Sequence, residues 1–206
     1  GEDATALFNL LTSCTPPREW RRLITAPLGL HESVLGMIER EAAYARAGKP
    51  ARILAKMNSL QEVDVIRALY RASQAGVEID LIVRGICCLR PGVPGVSENI
   101  RVRSIVDRFL EHSRIFFFES GGRQLLFGAS ADWMSRNFHR RVEVMFPIVD
   151  EVGRRRLLDD LFGVGLSDNC KANELQSDGS YIRVRPEDGE EPRRSQAMLL
   201  ARAKAA

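Results

Sequence analysis

The chain has 206 residues, 45% of them hydrophobic, and its formal net charge at pH 7 is +3. This length suits one domain, or one domain plus part of another, and the composition suits a protein with a sizeable buried core. No signal peptide, lipidation motif or long apolar run is present, so the sequence predicts a cytoplasmic protein without a membrane span, with attachment to a membrane surface left open. The weak positive charge does not by itself indicate a nucleic-acid partner.

Strand and helix patterns alternate in the first half of the chain. Apolar residues recur at helical spacing over residues 30–46, and residues 51–57 read as a strand. Ser59 is a candidate N-cap for a helix over residues 60–75, and residues 77–83 are rich in strand-forming side chains. This order predicts a βαβ unit with two parallel strands.

A long loop rich in glycine and proline, residues 84–99, follows the last of these strands. Loops at the carboxyl ends of parallel strands hold the ligand sites of open α/β sheets. Residues 100–110 predict a short strand followed by a helical piece that ends at His112. The apolar run that follows predicts a buried strand, and residues 119–122 predict a turn into a second strand.

The last third of the chain continues the mixed pattern. Residues 141–148 predict a strand, and residues 151–162 predict a helix. Residues 169–176 read as irregular, residues 181–186 alternate like an edge strand, and residues 195–204 predict a terminal helix. The sequence therefore predicts a mixed α/β fold.

His112 and Arg114 are the first candidates for chemistry. On a strand, side chains at positions i and i+2 point to the same side, so the two would serve one site. An imidazole can transfer a proton or attack an electrophile, and a guanidinium donates paired hydrogen bonds to phosphate oxygens. The alternative for a single histidine is a structural residue at the boundary of an element.

Arg84, Ser130 and Asp132 add donors and a carboxylate to this picture. Arg84 ends the most hydrophobic strand and would clamp a phosphate at the edge of the sheet, unless it is only the first solvated residue after the strand. Asp132 would orient a histidine, cap a short helix, or do both. Together these residues favour phosphoryl chemistry at His112.

Other classes of site lack their usual residues. The sequence contains no phosphate-binding GxxxxGK[ST] loop, no GxSxG elbow, and none of the histidine or cysteine spacings expected of a metal site. Basic residues are not interleaved with aromatic ones, which argues against a nucleic-acid platform. The cysteines are predicted to be reduced thiols, because two are adjacent and none has CxxC spacing: Cys14, Cys87, Cys88 and Cys170.

Two short motifs carry a resemblance to known proteins. His112-x-Arg114 followed by Gly128-x-Ser130-x-Asp132 resembles the phospholipase D superfamily pattern of His-x-Lys and Gly-Ser-x-Asn. It departs from that pattern with Arg for Lys, an inserted Ala129 and Asp for Asn. With these departures the chain is similar to the C-terminal part of the bacterial polyphosphate kinase family, to which residues 56–60, 82–92, 97–100 and 130–137 also correspond.

The resemblance implies a phospholipase D-like mixed β-sheet flanked by helices on both faces. Residues 1–48 would be the tail of a preceding catalytic domain and a connecting helix, and residues 49–206 the C-terminal catalytic domain. The chain begins with Gly1 rather than Met, which also suggests a piece of a longer enzyme. No other domain boundary is predicted.

The resemblance further implies reversible transfer of the terminal phosphate of ATP to polyphosphate through a phosphohistidine that lies outside this chain. Arg84 and His112 would contact the phosphates of ATP, with His112 also the catalytic acid or base, supported by Arg114, Ser130 and Asp132. The Mg²⁺ that accompanies ATP would take its ligands from outside this chain. The partners would be ATP or ADP and inorganic polyphosphate, without nucleic acid, in an intact enzyme that forms a homo-oligomer.

Two other functions remain open from the residues. One is a phospholipase D-like phosphodiesterase or nuclease, which would need a second His-x-Lys motif from another copy of the chain. The other is a module that binds polyanions without catalysis, as an isolated fragment would.

Overall fold

A computed structural model of the protein describes residues 1–13 and 20–205. In this part of the chain, nine strands join into one sheet. The strands are β1 (Ile24–Ala26), β2 (Arg52–Met57), β3 (Glu78–Val83), β4 (Ile100–Ile105), β5 (Ile115–Phe118), β6 (Leu125–Ala129), β7 (Glu143–Pro147), β8 (Ala172–Leu175) and β9 (Tyr181–Arg183).

The sheet is mixed, with the order β1-β7-β6-β5-β2-β3-β4-β8-β9. Strands β2, β3 and β4 are parallel, and the remaining neighbours pair antiparallel. The predicted parallel pair is confirmed by the β2–β3 register, in which Met57 lies opposite Val83. The carboxyl ends of β2 and β3 therefore lie side by side at one end of the sheet. Asn58 and Arg84 are the residues that directly follow these two strands.

Helices cover both faces of the sheet, as predicted. Alternate residues of β2 face opposite ways, so that Ile53 packs in a core with helices α2 (Leu30–Arg46) and α3 (Val63–Gln74), while Leu54 packs with Phe162 on the other face. None of the helices in the described ranges is long and apolar enough to cross a bilayer. The helices are α1 (Glu2–Ser13), α2 (Leu30–Arg46), α3 (Val63–Gln74), α4 (Ser135–His139), α5 (Glu151–Arg156), which continues in π-helical form over Leu157–Val164, and α6 (Ser195–Ala205).

Strand β1 and helix α2 share the sheet and core of the later residues. Strand β1 pairs with β7, and Val34 and Ile38 of α2 are buried in the same cluster as Ile53. The division of the chain at residue 48 stays a prediction. In the structure, residues on both sides of this position pack in one core.

The helix predicted before His112 is wrong. Residues 106–114 form an irregular segment, and strand β5 begins only at Ile115. The amide side chain of Gln196 replaces the helical hydrogen bonds, because it accepts from the Phe109 backbone N–H and donates to the Phe109 carbonyl, both at 2.8 Å. His112 and Arg114 therefore lie on a loop that helix α6 holds, not on a strand.

Helix α3 begins at Val63, three residues later than predicted, and Ser59 does not cap it. The backbone N–H of Leu60 donates to Ile86, and those of Gln61 and Glu62 donate to Trp133, so these residues extend the strand-like pairing. Residues 172–175, predicted to be irregular, form β8 against β4. The edge strand and the terminal helix are confirmed as β9 and α6.

Asp168 attaches helix α6 to the sheet. Its fully buried carboxylate accepts hydrogen bonds from the backbone N–H groups of Cys170, Lys171 and Ala172, and from that of Ser195, the first residue of α6. Burial alone would raise the pKa of Asp168, but the bonds from Lys171 and Ser195 outweigh it and hold the pKa below its ordinary value.

Asp168 is therefore expected to make stability depend on acid pH. The unfolded chain protonates this carboxyl at a higher pH than the folded chain, so its stabilisation is present above the ordinary aspartate pKa of about 3.9 and is lost as the pH falls through the lower folded pKa. Asp168→Asn should lose about 1–3 kcal/mol of unfolding free energy at neutral pH and show a shallower decline in acid. Urea unfolding at several pH values measures both quantities. Exposed Asp159→Asn is the control, and an acid slope in Asp168→Asn equal to that of the wild type would disprove this role.

Candidate phosphate-binding site

Arg84 and Asn58 meet where strands β2 and β3 end. The Arg84 Nε donates a 3.0 Å hydrogen bond to the Asn58 Oδ1. The next residue, Gly85, donates its N–H to the Asn58 carbonyl at 2.8 Å, and a Cβ at position 85 would lie only 3.0 Å from that oxygen. Glycine is therefore needed here for the two strand ends to approach each other.

Arg84 has no acidic partner in the part of the chain that the structure describes. The side chain is half-buried, its Nε is fixed by Asn58, and its two terminal amino groups make no hydrogen bond within the described residues. Because a half-buried guanidinium is normally paired with an anion, this arrangement suits a ligand that brings negative charge.

Asp132 joins the Arg84 pair to the His112 loop. Its carboxylate is 6% exposed, and Oδ1 accepts from the Asn58 backbone N–H at 2.7 Å and from the Asn58 Nδ2 at 3.1 Å. The same carboxylate binds Arg114 in two places, with Nε at 3.1 Å from Oδ1 and Nη2 at 3.2 Å from Oδ2. The buried charges of Asp132 and Arg114 therefore neutralise each other in a bidentate pair.

Arg114 in turn holds His112. Its Nη1 donates to the His112 carbonyl at 3.1 Å, and its Nη1 and Nη2 lie 3.3 and 3.2 Å from the ring nitrogens Nδ1 and Nε2. The bonding directions of two imidazole nitrogens diverge in the ring plane, so one guanidinium that contacts both cannot lie in that plane. The in-plane positions of both nitrogens are thus left available, and the ring is exposed to solvent.

The loop that carries His112 is held on its other side by buried polar contacts. Lys56 of β2, only 5% exposed, donates to the Glu111 carboxylate, and Gln196 of α6 donates to the same carboxylate at 2.9 Å. A cavity of about 400 Å³ lies beside His112, with Phe109, Leu161, Leu199 and Leu200 among its lining residues. His112 thus has a charged neighbour on one side and apolar side chains near the other.

Ser130 belongs to a different set of contacts. Its hydroxyl donates to Glu143 and accepts from the Val144 N–H at 3.0 Å, while Asn137 donates to the other oxygen of Glu143. Ser130 follows strand β6 next to Arg114, since the Ala129 N–H donates to the Arg114 carbonyl. Its supporting role stays a prediction, and its observed partner is Glu143.

Cys87 and Cys88 differ in environment along the loop after Arg84. Burial raises the pKa of Cys87 to about 11, so its thiol stays protonated at neutral pH. Cys88 is exposed, and its backbone N–H donates to the Leu60 carbonyl. Cys87, Cys88 and Cys170 are free thiols, and Cys14 lies outside the described residues.

The structure brings four of the five predicted site residues into one network, Arg84, His112, Arg114 and Asp132. Their roles stay predictions, but the geometry connects them in the order Arg84–Asn58–Asp132–Arg114–His112. Asp132 is connected to the imidazole through Arg114, since the carboxylate's own partners are Asn58 and Arg114. Asn58, the centre of the network, was not predicted as a site residue, although residues 56–60 were among the stretches that carried the resemblance.

The fold is that of an α/β protein, and these residues form a candidate anion site at the carboxyl ends of its parallel strands. The model of a protein family described as "Polyphosphate kinase C-terminal domain 2" matches residues 23–196. The chain belongs to this family, as its motifs indicated.

Curated relatives and solved structures agree with this assignment. Polyphosphate kinase from Synechocystis sp. is 52% identical over 98% of this chain, and the enzyme from Pseudomonas aeruginosa is 53% identical over 97%. The crystal structure of polyphosphate kinase from Porphyromonas gingivalis superposes with a TM-score of 0.93 at 45% identity over 98% of this chain. The chain spans only 28%, 29% and 31% of those three proteins.

A more distant structure shares the fold. The phospholipase D family member Nuc from Salmonella typhimurium superposes with a TM-score of 0.54 at 13% identity, covering 76% of this chain and 97% of that one. This likeness confirms the predicted phospholipase D-like fold and, at such low identity, carries no statement about activity.

Proposed function

We propose that this chain supplies one half of the active site of a longer polyphosphate kinase. In that enzyme the terminal phosphoryl group of ATP passes reversibly to polyphosphate, and the histidine that carries it covalently lies outside these 206 residues. The observation that carries the proposal is Arg84, a half-buried guanidinium without an acidic partner among the described residues. It is linked through Asn58, Asp132 and Arg114 to the exposed His112.

Arg84 would bind the phosphates. Its Nε donates to Asn58, which orients the guanidinium, and its two terminal amino groups make no hydrogen bond to the described residues. Two parallel donors match two oxygens of one phosphate, and the binding does not require the side chain to be ordered again. Phosphoryl transfer depends mostly on such positioning and on stabilisation of charge.

His112 would act on the leaving group. Contact with Arg114 from outside the ring plane orients the imidazole and leaves the in-plane positions of its nitrogens available, so a protonated ring can donate to the oxygen that links the departing nucleoside diphosphate. Arg114 itself is engaged by Asp132, and therefore its contribution is to hold the imidazole rather than to bind phosphate.

The residues around this network do not fit a magnesium ion. Mg²⁺ prefers carboxylate and water oxygens, whereas the only carboxylate of the five-residue network, Asp132, already accepts bonds from Asn58 and Arg114. Mg²⁺ bound to ATP would take its protein ligands from outside this chain, as predicted from the sequence.

The remaining partners follow from the same proposal. We assign ATP or ADP and inorganic polyphosphate as ligands and no nucleic acid, in a cytoplasmic enzyme that forms a homo-oligomer. The phosphodiesterase alternative is disfavoured, because Arg114 occupies the place of the lysine in the His-x-Lys pattern and is paired with Asp132.

Isotope-labelled ATP tests the activity. The full-length protein, incubated with ATP carrying a labelled terminal phosphate, should gain an acid-labile label on histidine and elongate polyphosphate. The 206-residue chain should gain none. Hydrolysis of a phosphodiester substrate by the chain without labelling would favour the phosphodiesterase instead, and binding of polyphosphate without either reaction in the full-length protein would favour the non-catalytic module.

Arg84→Ala is expected to weaken the binding of ATP. Loss of a charge-assisted pair of hydrogen bonds should raise the Kd for ATP about tenfold to a hundredfold. Equilibrium binding to the full-length protein measures this change. Arg46→Ala is the matched control, since it removes the same charge from the end of α2 and should leave the Kd unchanged. Equal affinities in Arg84→Ala and Arg46→Ala would remove Arg84 from the site.

A further inference from the structure

Two of the three histidines of the chain lie together, outside the network described above. His31 is in the first turn of α2, His139 is the last residue of α4, and Glu62 directly precedes α3. One ligand atom from each of the three side chains lies within 4.8 Å of the others. Since the three residues are 31 and 77 positions apart, no local sequence spacing reveals them.

The contacts within the described residues leave the His31 imidazole unsatisfied. The His31 Nε2 is buried and has no hydrogen-bond partner in the part of the chain that the structure describes. The Glu62 oxygen lies 3.9 Å away, too far for a hydrogen bond. Glu62 is 8% exposed, and this long contact is its only side-chain partner among the described residues. A buried imidazole nitrogen and a largely buried carboxylate thus lie close together without a hydrogen bond between them.

We propose that His31, Glu62 and His139 bind one divalent transition-metal ion, with Zn²⁺ as the best-matched cation. Two imidazole nitrogens and one carboxylate oxygen form a common donor set for such ions, which leaves a fourth position for water. Imidazole is a poor ligand for Mg²⁺, so this ion is distinct from the magnesium that accompanies ATP.

The distances allow this coordination after small movements. Zn–ligand bonds of about 2.0–2.1 Å place tetrahedral ligand atoms about 3.3 Å apart. The His31–Glu62 separation of 3.9 Å is close to that value. The His139 side chain is exposed and can rotate towards the other two ligands. The Phe138 ring packs against the His31 ring, with centroids 5.1 Å apart, and limits the movement of His31.

The ion would fasten three segments beside the phosphate site. It would connect α2, the segment between β2 and α3, and α4. The Glu62 backbone N–H donates to the carbonyl of Trp133, the residue after Asp132, at 3.0 Å. The ion would therefore stabilise the backbone that carries Asn58 and Asp132.

Titration of the metal-free chain with ZnSO₄ tests this site. Calorimetry should give one Zn²⁺ per chain, and saturation should raise the melting temperature, because the ion binds only the folded state. His139→Ala and Glu62→Gln should each weaken binding at least about tenfold. His139 is exposed, so its removal should leave the circular dichroism spectrum unchanged.

His112→Ala is the matched control, since it removes the third histidine of the chain and should keep wild-type Zn²⁺ affinity. Failure of the wild type to bind Zn²⁺, or equal affinity in the wild type and His139→Ala, would overturn the proposal. Equal losses in His139→Ala and His112→Ala would also overturn it, because binding would then be unspecific.

Discussion

Replacing His112 with alanine is expected to lower the rate of ATP-dependent polyphosphate synthesis by the full-length protein about 100-fold to 10,000-fold. This is the range over which a positioned general acid accelerates a reaction. The imidazole is exposed, and its loss leaves the Asp132–Arg114 pair intact, so the free energy of unfolding should change little. Initial rates over a range of ATP concentrations measure the effect and separate kcat from KM.

Added imidazole distinguishes a chemical role for His112 from a structural one. The missing ring leaves an open position next to the 400 Å³ cavity, where free imidazole can bind. Partial recovery of kcat is therefore expected in His112→Ala and not in Arg84→Ala, which loses a phosphate contact instead. Rates in His112→Ala close to those of the wild type would contradict the assigned role.

Asp132→Ala is expected to have the largest effect on stability, a loss of about 3–5 kcal/mol of unfolding free energy. The change leaves the guanidinium of Arg114, whose side chain is 14% exposed, as a buried charge without its partner, and it also removes the acceptor for Asn58. Urea unfolding of the 206-residue chain measures this loss. The imidazole should also lose its fixed orientation, because Arg114 then has no anchor.

Asp188→Ala is the matched control for this prediction. Asp188 is an exposed aspartate between β9 and α6, and its removal should change the unfolding free energy by no more than about 0.5 kcal/mol. Asp132→Asn should fall between the two variants, since it keeps an oxygen acceptor for Asn58 but loses the charge that balances Arg114. A cost for Asp132→Ala similar to that for Asp188→Ala would mean that the pair does not hold the site together.

The predictions that succeeded rest on local patterns. Helix α2 was predicted at the same bounds that the structure shows, because its apolar spacing is regular and Gly48 and Pro50 end it. The parallel β2–β3 pair followed from one strand–helix–strand unit. Arg84 was placed at the edge of the sheet by the same reasoning.

The predictions that failed depend on contacts between distant residues. The helix before His112 is replaced by a loop because Gln196, far along the chain, bonds to the backbone of Phe109. Asn58 was not predicted to be central because an asparagine after a strand is common, and its partner Asp132 is 74 positions away. The group of His31, Glu62 and His139 was not predicted either, because its members are far apart in the sequence.

The most direct test is a crystal structure of this chain with tripolyphosphate. One phosphate group is expected to bind between the two ends of the network, with oxygens within about 3.2 Å of a terminal amino group of Arg84 and of a ring nitrogen of His112. Asn58, Asp132 and Arg114 should keep the hydrogen bonds described here. A phosphate bound elsewhere, with Arg84 and His112 making no contact to it, would contradict the account.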